Sequence, residues 1–175
     1  DLDIAIEGPG FLQVLDPQTQ QTLYTRSGNL DINADGTLVL GSAQTGRPLE
    51  PPIVIPQDAI KVEIGANGAV SVRTQGVVEL QQIGQLQMAQ FINPDGLLKL
   101  GENLYQQTDA SNAPIISDPG TNGLGIVKQR TLEASNVEPV QELIDLITTQ
   151  RGFELNSQAV QAGDQLLQQI ANLRR

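Results

Sequence analysis

The sequence contains no cysteine, no histidine and no tryptophan. Thiol chemistry, disulfides, the usual zinc sites and imidazole acid–base catalysis are therefore excluded. Aromatic residues are almost as scarce: Phe11, Tyr24, Phe91, Tyr105 and Phe153 are the only ones in 175 residues. The core must be built from Val, Ile, Leu and Ala. Ten basic residues stand against twenty acids, a formal net charge of -10. No basic face is present to take up phosphates, so nucleic acid is not an expected partner. No run of about 18 apolar residues occurs, so no membrane insertion is expected.

Catalytic patterns are missing too. The serines have no imidazole to activate them and no G-x-S-x-G around them, and no pair of carboxylates is singled out by spacing. "DINADG" (31–36) copies the start of a calcium-binding EF-hand loop, but Ser42 stands where the bidentate Glu belongs and the flanks read as strands. A hairpin turn explains the same residues. The expectation is a non-enzyme without metal or cofactor.

What is present is organised in two parts, a β-rich domain over residues 1–133 and a helix over 134–175. In the first part, "FLQVLD" and "TLYTRS" flank "PQTQQ" as a hairpin. "NADG", "GANG" and "NPDG" each precede a four-residue stretch of strand character, "TLVL", "AVSV" and "LLKL". Turns of this kind supply the positive φ that tight hairpins demand, so three further hairpins are predicted. "RPLEPPIVIP" (47–56) reads as an extended edge or connector, "SDPGTNGLG" (117–125) as a loop, and "IVKQRTLEA" as a last strand.

The second part reads as one long helix. Ser135 or Asn136 can cap it, with Glu138 completing a capping box and Pro139 tolerated in the first turn. Acids cluster near its start, and Arg174 and Arg175 complement its negative end. From Val137 to Leu173 it would run about 55 Å, against roughly 30 Å for a domain of this size. One apolar stripe holds Val140, Ile144, Ile147, Leu155, Ala159, Ala162, Leu166, Ile170 and Leu173. A second holds Leu143, Leu146, Phe153, Val160 and Leu167, with gaps at Gln150, Arg151, Ser157 and Asp164. A helix with apolar residues on two sides sits between partners. Folding back over the β region is the plain alternative; the length favours a projecting helix covered by other chains. Gly152 and Gly163 each cost about 1 kcal/mol relative to Ala, which close approach of a neighbouring backbone would offset. The fold class is therefore mainly β: antiparallel hairpins plus one extended C-terminal α-helix for coiled-coil-like assembly.

"YTRSGNLDINADGTLVL", "IGQLQMAQFINPDGL", "IGENLYQQT", "NGLGIVKQRTLEASNV" and "QELIDLITTQRGFELNSQAVQAGDQLLQQI" resemble, in order, the bacterial flagellar axial rod and hook proteins. The resemblance runs from Asp1 to about Leu173. The third and fourth segments and the small middle domain are similar to the distal-rod members. The resemblance implies export through the flagellar type III apparatus without a cleaved signal. It also implies helical polymerisation into a rigid hollow drive shaft crossing the periplasm inside a ring bushing, which passes torque from motor to hook. The implied partners are copies of the chain, neighbouring rod and hook proteins and the bushing. Within the family the alternatives are a proximal-rod or hook subunit; outside it, a secreted β-rich binding module. The resemblance carries inner-tube packing onto Val140, Leu143, Ile144, Ile147, Phe153, Leu155, Val160, Leu166, Leu167 and Ile170, and recurrent polar positions onto Asn136 and Arg151. Gly152 stands where the family more often has Ala. No initiator Met or signal peptide opens the chain, and Asp1 begins inside the alternating run "DLDIAIEG". This sequence is therefore expected to be cut from a longer one, without the N-terminal helical region that the resemblance implies.

Overall fold

The computed structural model describes residues 2–77, 79–135 and 138–173, with side chains in the terminal helix up to residue 165. The chain divides into two compact units, Asp1–Glu133 and Ala134–Arg175. The first is built from short strands: β1 (Ile4–Glu7), β2 (Phe11–Leu15), β3 (Thr22–Thr25), β4 (Leu30–Ile32), β5 (Leu38–Leu40), β6 (Arg47–Pro48) and β7 (Ala59–Ile64). They continue as β8 (Ala69–Thr74), β9 (Gln81–Gln85), β10 (Met88–Gln90), β11 (Leu98–Gly101), β12 (Leu104–Gln106), β13 (Ile115–Ser117) and β14 (Ile126–Gln129). Every pairing among them is antiparallel. The largest sheet runs β11-β12-β3-β2-β10-β13; β4-β5-β6 and β7-β8-β9 form two smaller ones, and β1 pairs with β14.

Turn chemistry explains the local hairpins. β4 and β5 meet at Ile32 opposite Leu38, with Gly36 at φ 81°. The Asn33 side-chain oxygen accepts from the amides of Asp35 and Thr37. That oxygen closes the turn, as the hairpin reading of "DINADG" requires. β7 and β8 meet at Ile64 opposite Val70, with Gly68 also at φ 81°. β2 and β3 meet at Leu15 opposite Thr22, as "PQTQQ" suggests.

The third predicted hairpin does not form. Residues 94–96 make a 3-10 turn, and β11 emerges at the far edge of the largest sheet from β10, paired with β12 instead. Pro94 opens the turn, and Gly96 is not among the residues with positive φ, so no primed turn brings the strands together. The hairpin in this region is β11–β12, turned by Gly101, Glu102 and Asn103 at φ 93°, 52° and 60°. The final strand is also shorter than expected and ends at Gln129, one residue before Arg130 at φ 60°.

One core draws on all four sheets: Ile4 and Val127 from the β1–β14 pair, Leu12, Val14 and Met88 from the largest sheet, Leu38 from β5, and Val70 and Val72 from β8. The proline-rich connector contributes Leu49, Ile53 and Ile55 to it. Because strand residues alternate between faces, Phe11 and Tyr24 next to Leu12 and Leu23 belong to a second cluster, with Phe91 and Tyr105. Tyr24 meets Phe91 edge-on with centroids 4.8 Å apart, and Phe11 meets Tyr105 at 5.5 Å. Four of the five aromatic residues are thus used on one side of one sheet.

Arg26 closes this unit. Its guanidinium donates to the carbonyls of Ile6, Gly8 and Gly10 and pairs with Glu133 at 3.1 Å. Arg26→Ala leaves those acceptors unmatched and should lower stability by about 2 kcal/mol, the scale of lost charge-assisted hydrogen bonds. Urea denaturation of the two proteins measures it, and Arg26→Lys, which lacks the fork, should recover only part of the difference.

The second unit contains α1 (Pro139–Leu173), 35 residues. Pro139 opens it, where a missing N–H is harmless, and the Glu138 carbonyl accepts from the Glu142 amide at 3.2 Å. Of the two expected caps, Ser135 and Asn136, the second lies outside the described residues, as does the helix-end role of Arg174 and Arg175. No described helix is long and apolar enough to cross a membrane.

Candidate assembly surface

A straight α1 is about 52 Å long at 1.5 Å per residue. No residue of it described at side-chain level is buried: positions 140–165 are exposed except Gly163, which is half-buried. Val140 is 70% exposed, Ile144 50% and Ile147 46%, with Leu155 at 65%. These share one side of the helix. Leu146, Phe153 and Val160, spaced seven residues apart, occupy the opposite side and are 52%, 76% and 65% exposed. Leu143, at 58%, lies between the two. Fully covering one such side chain removes about 1.5–3 kcal/mol worth of apolar surface from water. Eight exposed large apolar side chains on one helix are more than scattered surface residues and make its two sides a candidate contact surface.

Of the residues that the resemblance singles out, the structure groups Val140, Ile144, Ile147, Arg151 and Leu155 on the first face, and Phe153 and Val160 on the second. Leu166, Leu167 and Ile170 fall within the helix, but their side chains lie outside the described residues, and Asn136 does so entirely. Leu146 belongs to the second face although it was not singled out with them; its heptad spacing to Phe153 is the signal for it.

Polar groups are used locally. The hydroxyls of Thr148 and Thr149 donate back to the carbonyls of Ile144 and Asp145, both at 2.8 Å, and Gln141 donates to Asp145 at 3.3 Å. A Cβ placed on Gly152 or Gly163 would meet nothing within 4 Å, so among the described residues no close backbone offsets the cost of either glycine. Gly152→Ala should therefore stabilise the helix of the free chain by about 1 kcal/mol, seen as increased helical circular dichroism. A decrease would show that the position is sterically occupied in the chain itself.

Comparison with known proteins gives two family matches. A model described as the flagellar hook protein FlgE/F/G D1 domain matches residues 5–72, and one described as flagellar basal body rod FlgEFG protein C-terminal matches residues 128–173. The flagellar basal-body rod protein FlgG of Buchnera aphidicola subsp. Schizaphis graminum is 45% identical over 171 residues, covering 98% of this chain and 64% of its own length. That of Caulobacter vibrioides is 41% identical over 173 residues, covering 99% of this chain and 64% of its own length. The flagellar hook protein FlgE of Escherichia coli is 34% identical over 119 residues, covering 68% of this chain and 29% of its own length. The chain spans a little under two thirds of the length of the rod relatives.

Proposed function

Because the chain belongs to the flagellar rod and hook protein family, we propose that it is a structural part of a distal-rod subunit. In this reading α1 packs against other helices of the rod's inner tube, and the strand unit forms its outer layer. The polymer is a rigid, hollow shaft that crosses the periplasm inside the ring bushing and carries torque from motor to hook. Its partners are further copies, the neighbouring rod and hook proteins and the bushing.

The observation that carries this reading is the helix with apolar side chains exposed on two opposite sides. A shaft resists torsion when neighbouring subunits interlock at the density of a protein interior, leaving no gap in which they can slide. Two apolar faces per helix allow each copy to meet more than one neighbour, which a single stripe would not. The family is one of structural flagellar proteins, and the proposed role is mechanical. The hook reading is weaker, because the hook relative aligns over a much smaller share of both chains. Deleting the gene and isolating basal bodies tests the proposal: rods should end before the distal segment and carry no hook. Complete rods with hooks in the deletion strain would refute it.

A further inference from the structure

The two apolar faces of α1 each carry one residue that an apolar contact alone does not explain. Arg151 sits on the first face, one turn from Ile147 and one turn from Leu155, and is the only cation in residues 138–173. Asp164 sits on the second face, one turn from Val160. Neither has an ion-pair partner among the described residues, and Glu154, one turn from Arg151, does not supply one. Asp is a poor helix former, and it follows Gly163, so two unfavourable residues stand together in mid-helix, and a Cβ on Gly163 would meet nothing within 4 Å among the described residues.

We infer that in the polymer the Ile147 face of one copy packs on the Phe153 face of the next, parallel and head-to-tail, with Arg151 paired to the neighbour's Asp164. The inference rests on the rod reading. Three matches occur at the same stagger of thirteen residues: Val140 opposite Phe153, Ile147 opposite Val160, and Arg151 opposite Asp164. The stagger is about 20 Å along the axis. Ile144 then falls opposite Ser157, whose small side chain leaves it room. A contact between two different faces is heterologous, and with an axial offset of about 20 Å per copy it cannot close into a ring, so its repetition generates an open helical polymer. Parallel in-register packing of the first face on itself would set Arg151 against Arg151, so charge opposes that arrangement. A single ion pair inside an apolar contact is a register device: any slip of the helices leaves two charges covered and unpaired.

The test uses the full-length protein, expressed in place of the chromosomal copy. Arg151→Glu and Asp164→Arg should each reduce completed rods at least tenfold, and the double variant should restore them. Independently, Ile147→Cys combined with Val160→Cys should give a disulfide-linked ladder in oxidised rods, whereas neither single variant adds cross-links. A double charge variant as defective as the singles, together with no ladder, would overturn the pairing. Covalent dimers formed by Ile147→Cys alone would also overturn it, because that face would then meet itself. If gene deletion removes the distal rod while these variants fail in that way, only the register is wrong; if deletion leaves rods complete, the rod reading itself falls.

Discussion

Ile147→Asp should abolish incorporation of the full-length protein into rods while leaving the strand unit folded. Ile147 is already 46% exposed in the single chain, so the substitution removes little packing there. In the proposed polymer the same position would be covered. The variant then forfeits about 1.5–3 kcal/mol of apolar burial and must cover a carboxylate with no partner, which adds several kcal/mol more. That penalty recurs at every subunit added. Electron microscopy of isolated basal bodies reads the assembly, and thermal denaturation followed by circular dichroism reads the strand unit. Unfolding of the strands in the variant would mean that Ile147 belongs to a core within the chain.

Gly28→Ala should have the opposite signature, destabilising the strand unit directly. A Cβ on Gly28 would lie 1.9 Å from the Ile4 carbonyl oxygen and 2.8 Å from the Ile4 carbonyl carbon. These are backbone atoms and cannot swing away. Ile4 is fully buried, and its amide donates to the Gly28 carbonyl at 2.8 Å, so separating the segments breaks that bond and disturbs β1 against β14. We expect a loss of about 3 kcal/mol, the upper part of the usual range for overpacking. Gly41→Ala is the control: its Cβ meets nothing within 4 Å, and only the left-handed backbone at φ 89° opposes it, at about 1–2 kcal/mol. Urea midpoints of the two variants make the comparison, and equal losses would show that the close approach to Ile4 is not what requires glycine at position 28.

How much was legible follows the range of the interactions. The hairpins at residues 33–36 and 65–68 could be read because Asn and Gly fix the turn within four residues. "NPDG" misled because the same letters served a 3-10 turn, and the real hairpin nearby places Glu102 and Asn103, not Asn-Gly, in the left-handed region. The order of the largest sheet was not readable, since its pairings join β3 to β12 and β2 to β10 across long stretches of chain. The Arg26 clamp was equally hidden, because its acceptors are main-chain carbonyls of residues 6, 8 and 10 and a carboxylate 107 residues away. Helix α1 could be read in full outline, because its two stripes are a local property of spacing. The proposed role of its polar gaps was not, because a pairing of Arg151 with Asp164 is a property of two helices side by side and not of spacing within one.

The central claim is that α1 waits for partners. Amide hydrogen exchange on this chain in dilute solution, comparing residues 138–173 with residues 2–133, tests it most directly, because exchange reports local opening segment by segment. Fast exchange along the helix beside strongly protected strands is the expected result. Strong protection of the helix in a chain shown to be monomeric would contradict it, because the apolar faces would then already be covered within one molecule.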